Sequence, residues 1–227
     1  MIWFVLFFVI IAASFVLAYF SMKDFEEIPE PREAFGLFLI KTPQNLTTRL
    51  LDSLFLKSAH QGHVISLERL FKGEKSALLI FGHKDTLNEF SELNLLELED
   101  YTTKDLSTLM AWEMTKTNSL EEAGEVFGNF PPLKNEEQFW WQVLIRPHPS
   151  KDWQGKLRAI VLSPDEYRRK KLTESLQQTL SAAKLVKQPR PLTSQQIYDS
   201  FMRRSISPMP QLMSLTTKEI MHLLGKV

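Results

Sequence analysis

Residues 36–101 read GLFLIKTPQNLTTRLLDSLFLKSAHQGHVISLERLFKGEKSALLIFGHKDTLNEFSELNLLELEDY, and the order of patterns in this stretch decides the fold. The apolar run from Phe35 to Ile40 has the length and content of a buried strand. Thr42-Pro43 then offers a helix cap with proline in the first turn. Leu46, Leu50, Leu51, Leu54, Phe55 and Ser58 recur at helical spacing, so one face of this segment is core and the other is wet, and Gly62 breaks it. His63–Arg69 and Lys75–Gly82 are two strands joined around Lys72-Gly73-Glu74 as a hairpin. Residues 84–92 make a short helix, and Leu95 to Tyr101 alternates as a fourth strand.

The resulting order, βαββαβ, predicts a ferredoxin-like module over 36–101, an antiparallel sheet backed by two helices. A second α+β module is expected over 102–187, with strands at Leu106–Met114, Phe139–Pro147 and Gly155–Leu162 and a short helix at Ser119–Val126. Ser163-Pro164-Asp165-Glu166 carries a full helix-start signal, and the helix beyond it places Leu172, Leu176, Leu180 and Ala183 on one stripe. Residues 188–227 read as a helical C-terminal extension. Gln188-Pro189-Arg190-Pro191 breaks the chain, Ser194–Met202 is a short helix, and Thr216-Thr217-Lys218-Glu219 repeats the capping-box spacing before a last helix ended by Gly225.

Upstream of the body, residues 1–20, MIWFVLFFVIIAASFVLAYF, contain no charge. A helix of that length spans roughly 30 Å, the thickness of a bilayer's hydrocarbon core, so residues 1–22 are expected to form an uncleaved transmembrane anchor. Trp3 and Tyr19 near its ends suit the headgroup layers. Residues 23–35, acidic and containing Pro29 and Pro31, read as a juxtamembrane spacer. Lys23, Arg32 and Lys41 follow the span, which predicts a single-pass inner-membrane protein with a cytoplasmic body. Asn45-Leu46-Thr47 is a sequon that matters only in a secretory lumen.

Charge is balanced overall at 27 basic and 27 acidic residues, yet residues 23–137 hold 12 basic and 21 acidic side chains while 138–227 hold 15 and 6. Arg168, Arg169, Lys170 and Lys171 form the densest positive run, a candidate contact for an anionic partner, nucleic acid or acidic lipid; a solvated helix face explains the same residues. The absence of cysteine excludes thiolate zinc sites, disulfides and cysteine nucleophiles. No GxxxxGK[ST] loop, HExxH helix or GxSxG elbow occurs, and His60, His63, His83 and Asp85 read as the rim of a small sheet rather than as metal ligands. Neither catalysis, a cofactor nor a resident metal is expected.

The stretch Leu50 to Leu54 with His60–Glu68 and the strand Ala77–Phe81 resembles the membrane-anchored N-terminal region of conjugation-type proteins of uncultivated bacteria, relatives of type IV secretion ATPases and coupling proteins. Phe139-Trp140-Trp141-Gln142-Val143-Leu144-Ile145-Arg146-Pro147 followed by Trp153 is similar to that region's aromatic, glutamine, aliphatic, arginine-proline segment, with Trp141, Gln142, Arg146 and Pro147 matching. Met213 to Leu224 resembles the segment leading toward the ATPase domain. The resemblance implies an accessory or scaffold protein that positions a separately encoded ATPase or secretion component and has no ATPase activity of its own. Membrane lipid, weak nucleic-acid contact and self-association complete the expected partners.

Overall fold

The computed structural model describes residues 32–103, 105–120, 126–127, 130–146, 153–188, 192–206 and 212–225. Four strands, β1 (Phe35–Ile40), β2 (Ile65–Lys72), β3 (Lys75–His83) and β4 (Leu95–Leu98), alternate with helices α1 (Thr48–Gln61) and α2 (Lys84–Asn88). Antiparallel pairing puts them in the order β4-β1-β3-β2, with β3 between β1 and β2 as in a split βαβ unit. Helix α1 starts later than the Thr42-Pro43 signal suggests. Pro43–Asn45 is a 3-10 turn, and the cap is Thr47, whose hydroxyl accepts from the Leu50 amide. Gly62 ends the helix at φ +74°, a conformation that glycine adopts without steric cost. Leu51, Leu54 and Phe55 of α1 are fully buried, whereas Leu50 is only half-buried.

The second half repeats the arrangement. Strands β5 (Leu109–Lys116), β6 (Gln138–Arg146), β7 (Trp153–Leu162) and β8 (Leu185–Lys187), with helix α3 (Glu166–Ala182) before β8, lie in the order β8-β5-β7-β6. Numbering each half separately, both have the order 4-1-3-2. The halves join through the antiparallel pair β2–β6, Ile65 opposite Ile145 through Lys72 opposite Gln138, which makes one continuous sheet with a pseudo-twofold axis near that pair. The expected helix Ser119–Val126 falls largely outside the described residues. Strand β8 is too short to show periodicity; it forms because Lys184, at φ +61°, turns the chain back from α3 onto β5. The α3 cap is Asp165 rather than Ser163, its carboxylate accepting from the Arg168 amide.

Alternation divides the sheet into two faces. One face packs under α1 and α3 and contains Trp141, Val143, Leu157 and Val161 with Leu54, Leu172 and Leu176. Two described segments, 194–206 and 212–225, clamp the junction of the two halves from opposite faces. Helix α4 (Ser194–Arg203) lies on the other face, with Ile197, Tyr198 and Phe201 against Leu109, Trp140 and Ile160. Strand β9 (Met213–Leu215) pairs with the start of β7, and α5 (Thr217–Leu224) packs against α1, β2 and β6 on the helical face.

The architecture is therefore α+β with a large antiparallel sheet, and the membrane-anchored fold is corrected. A span needs about 20 apolar helical residues. Among the described residues no helix is long and apolar enough to cross a membrane; α3, with 17 residues, is amphipathic and heavily charged. Residues 1–22, on which the anchor rested, lie outside the described residues. The single-pass topology, the inner-membrane location and the membrane-scaffold function all depended on that span and fall with it.

Candidate functional site

One row of paired residues crosses the face opposite α1 and α3. It runs from Leu96 on β4 through Leu39 and Leu79 to Glu68 on β2, then Gln142, Arg158 and Glu113 on β6, β7 and β5. Its first three members are leucines and its last four are polar, and Glu68, Gln142 and Arg158 are fully buried. A buried charge must be paired or neutralised, and every partner is present. Glu68 accepts from Ser66 Oγ at 2.7 Å, Gln142 Nε2 at 3.0 Å, Arg204 Nε at 3.0 Å and Tyr101 OH at 2.6 Å. Arg158 donates from Nε to Glu113 at 3.1 Å and from Nη1 to Gln142 Oε1 at 3.1 Å. Its remaining donors reach the carbonyl of Ser200 in the last turn of α4 and that of Ser205 just past its end.

Arg204 closes the cluster. It caps α4 in the left-handed conformation, φ +51°, which aims its side chain back onto β2. Its guanidinium holds Asp100 in a bidentate pair at 2.7 and 2.8 Å and lies 4.4 Å from the centre of the Phe81 ring. Burial pulls its pKa down, but Glu68 and Asp100 outweigh burial and hold the group protonated well above the ordinary guanidinium range. Burial, followed by the Glu68 charge, pushes the Tyr101 hydroxyl well up, so it remains a donor. Lys156, 3.1 Å from Glu113, is pulled down by burial against that attraction. Glu68, Asp100 and Glu113 balance Lys156, Arg158 and Arg204, a closed set that fixes where α4 docks.

Sequence reasoning missed this set. A signal was available: Glu113 lies between Trp112 and Met114, and Arg158 between Leu157 and Ala159, charges set inside otherwise apolar strand sequence, which is where a buried pair is required.

The basic run on α3 does not stay together as a free cluster. Arg168 binds the buried Glu137 at 2.8 Å and the Pro132 carbonyl, and Arg169 donates to the Ser163 carbonyl. Lys170 pairs with Glu166 on the surface, and Lys171 is exposed. Trp141 and Gln142, adjacent in β6, engage opposite faces. Trp141 Nε1 donates to the Leu223 carbonyl of α5 at 2.9 Å, while Gln142 Nε2 donates to the Phe201 carbonyl of α4 at 3.0 Å. Arg146 is exposed at the end of β6, and Pro147 lies outside the described residues.

His63 and His83 stack with ring centres 4.6 Å apart, edged by Phe35 at 5.4 Å from each. Among the described residues no group of three or more metal-ligating side chains could hold an ion.

Beyond Glu68 the same face is apolar and opens toward β4. Leu37 and Leu79 are buried, Leu39 and Phe81 are half-buried, and Leu96 and Leu98 are 43 % and 37 % exposed. Helix α4 packs on β5 and β7, and no described helix makes comparable contact with β1 or β4 on this side. No model of a known protein family matches the chain, and no curated protein matches it.

Proposed function

We propose that this chain is a non-catalytic protein-binding module whose partner docks on the back face of the first half-sheet. One observation carries the reading. Leu39, Leu96 and Leu98, beside the half-buried Phe81, are an apolar surface that no described helix covers, at the place where, in the second half-sheet, α4 covers the equivalent strands. The ionisable groups that could do chemistry on this face are engaged with one another beneath α4. The partner class implied by the resemblance of the Phe139–Pro147 strand is a separately encoded ATPase or secretion component. The nucleic-acid reading is weaker, because two of the four cations it needs are committed to Glu137 and Ser163.

The test is a photo-crosslinking amino acid in place of Leu39, with Tyr167, exposed on α3, as the control position. Adducts that form at position 39 and contain a protein with a Walker motif support the proposal. Adducts equal at both positions, or none at position 39, overturn it.

A further inference from the structure

The sheet has two open edges, and their chemistry is complementary. On β4 the Lys41 amide donates to the Asn94 carbonyl at 3.4 Å, a phase that turns the amide and carbonyl groups of Glu97 and Glu99 away from β1. On β8 the Thr117 amide donates to the Lys184 carbonyl and the Gln188 amide to the Glu113 carbonyl, both at 3.0 Å. That phase turns the backbone groups of Leu185 and Lys187 outward. Among the described residues no strand pairs with either outer edge.

A second row links the two edges. On the helical face it runs from Glu97 through Phe38 and Ile80 of the first half-sheet, and Leu157 and Met114 of the second, to Lys187. The row is apolar inside, with an acid at one end and a base at the other. Every adjacent pair of strands on this path is antiparallel, so β4 and β8 run in opposite directions. A second copy placed beside the first in the same orientation therefore brings its β8 antiparallel to β4, with both helical layers on the same side.

We propose that this chain associates head to tail with further copies of itself, β4 of one copy pairing with β8 of the next. In the register that continues both rows, Glu97 meets Lys187 of the second copy and Glu99 meets Leu185 of the second copy as hydrogen-bonded pairs. Leu98 meets Val186 of the second copy as the closer, non-hydrogen-bonded pair. The outward backbone phase of both edges fits this register. Glu97 already holds Lys84 at 2.6 Å and is 54 % exposed, which leaves room for a second cation. Like-edge pairing sets Glu97 and Glu99 against their own kind, or Lys187 against itself, and is disfavoured. Charges on edges normally block indiscriminate pairing; here their opposite signs select one partner edge. The contact uses two different surfaces and so builds open chains rather than a closed dimer.

The chain has no cysteine, so a disulfide can report the contact. Non-hydrogen-bonded antiparallel partners lie about 4.5 Å apart at Cα, within disulfide range. The two edges are seven strand spacings apart, roughly 33 Å, so no such bond closes within one copy. The full-length chain carrying both Leu98→Cys and Val186→Cys is expected to give a ladder of multimers on mild oxidation. Chains carrying one substitution should form dimers only when the two kinds are mixed. Adding Lys187→Glu should reduce the ladder at least tenfold, and adding Glu97→Lys to that chain should restore it, which separates lost pairing from misfolding. A chain with both cysteines that stays monomeric, a ladder indifferent to charge reversal, or dimers formed equally by one kind alone would overturn the proposal.

Discussion

The two half-sheets share strand order and connection, yet they are finished differently. In the first, the long helix is α1, between its first and second strands, and the back face is apolar and open toward β4. In the second, the long helix is α3, between its third and fourth strands, and the back face carries charge sealed under α4. The same backbone plan thus supports a face that keeps apolar surface available and a face that hides polar groups. The deciding elements are α4 and Arg204, which lie outside both repeats in the sequence.

The largest expected effect comes from breaking the sealed face. Arg158→Met removes the cation between Glu113 and Gln142 and leaves a buried carboxylate short of its partner, so chemical denaturation should show a loss of about 3–5 kcal/mol. Phe201→Ala, which empties the centre of the α4 seat, should cost about 3 kcal/mol, whereas Leu96→Ser on the open face should stay within about 0.5 kcal/mol. Equal losses at Phe201 and Leu96 would mean that the first half-sheet is covered as tightly as the second.

The clamp at the junction gives the next effect. Glu219 accepts from Lys116 Nζ at 2.7 and 2.8 Å and from the amides of Thr216 and Leu120. Burial pushes its pKa up, but those donors outweigh burial and hold the carboxyl below its ordinary value. Glu137 is held low in the same way by Arg168 and the Lys134 amide. As pH falls, the unfolded chain takes up these protons first. The stabilisation is full above the ordinary carboxylate range, about pH 4.3, and is lost as pH drops through the lower folded values. Glu219→Gln should cost about 2 kcal/mol at neutral pH and make the acid limb of the stability profile shallower.

The smallest effects dissect the basic run on α3. Arg168→Gln leaves the buried Glu137 without its cation and should cost about 1.5 kcal/mol, while Lys170→Gln and Lys171→Gln should each stay within about 0.5 kcal/mol in the same denaturation assay.

Much of the element pattern was legible because it is local. The apolar periodicity of 35–101, the Gly73 hairpin and the aromatic strand at 139–146 each announce themselves within about ten residues. The charge step at residue 137 does not follow the boundary between the half-sheets. Residues 35–101 hold 7 basic and 9 acidic side chains and residues 102–187 hold 13 and 11, so neither half-sheet is strongly charged. Part of the step arises because Lys156 and Arg158 lie on one side of it while their partner Glu113 lies on the other, the three meeting through β5–β7 pairing. The run Arg168–Lys171 looked compact for a similar reason: consecutive residues point around a helix, and the buried Glu137 that takes Arg168 is 31 positions away.

By itself the sequence determined which segments alternate as strands, where α1 ends and α5 is capped, and that the body has a helical layer over a sheet. Side-chain period and capping chemistry are short-range properties, carried by neighbours in the chain. Tertiary structure alone decided that the second half mirrors the first across β2–β6, that Glu68, Gln142, Arg158 and Glu113 form one row, and that Arg204 locks it. Strand register and the docking of α4 together bring Glu68 to Arg204, 136 positions away, and no local pattern encodes which strand a given edge will choose. The pairing of those buried charges is settled only when all four strands and α4 are in place, because each charge is tolerable in the interior only beside the others.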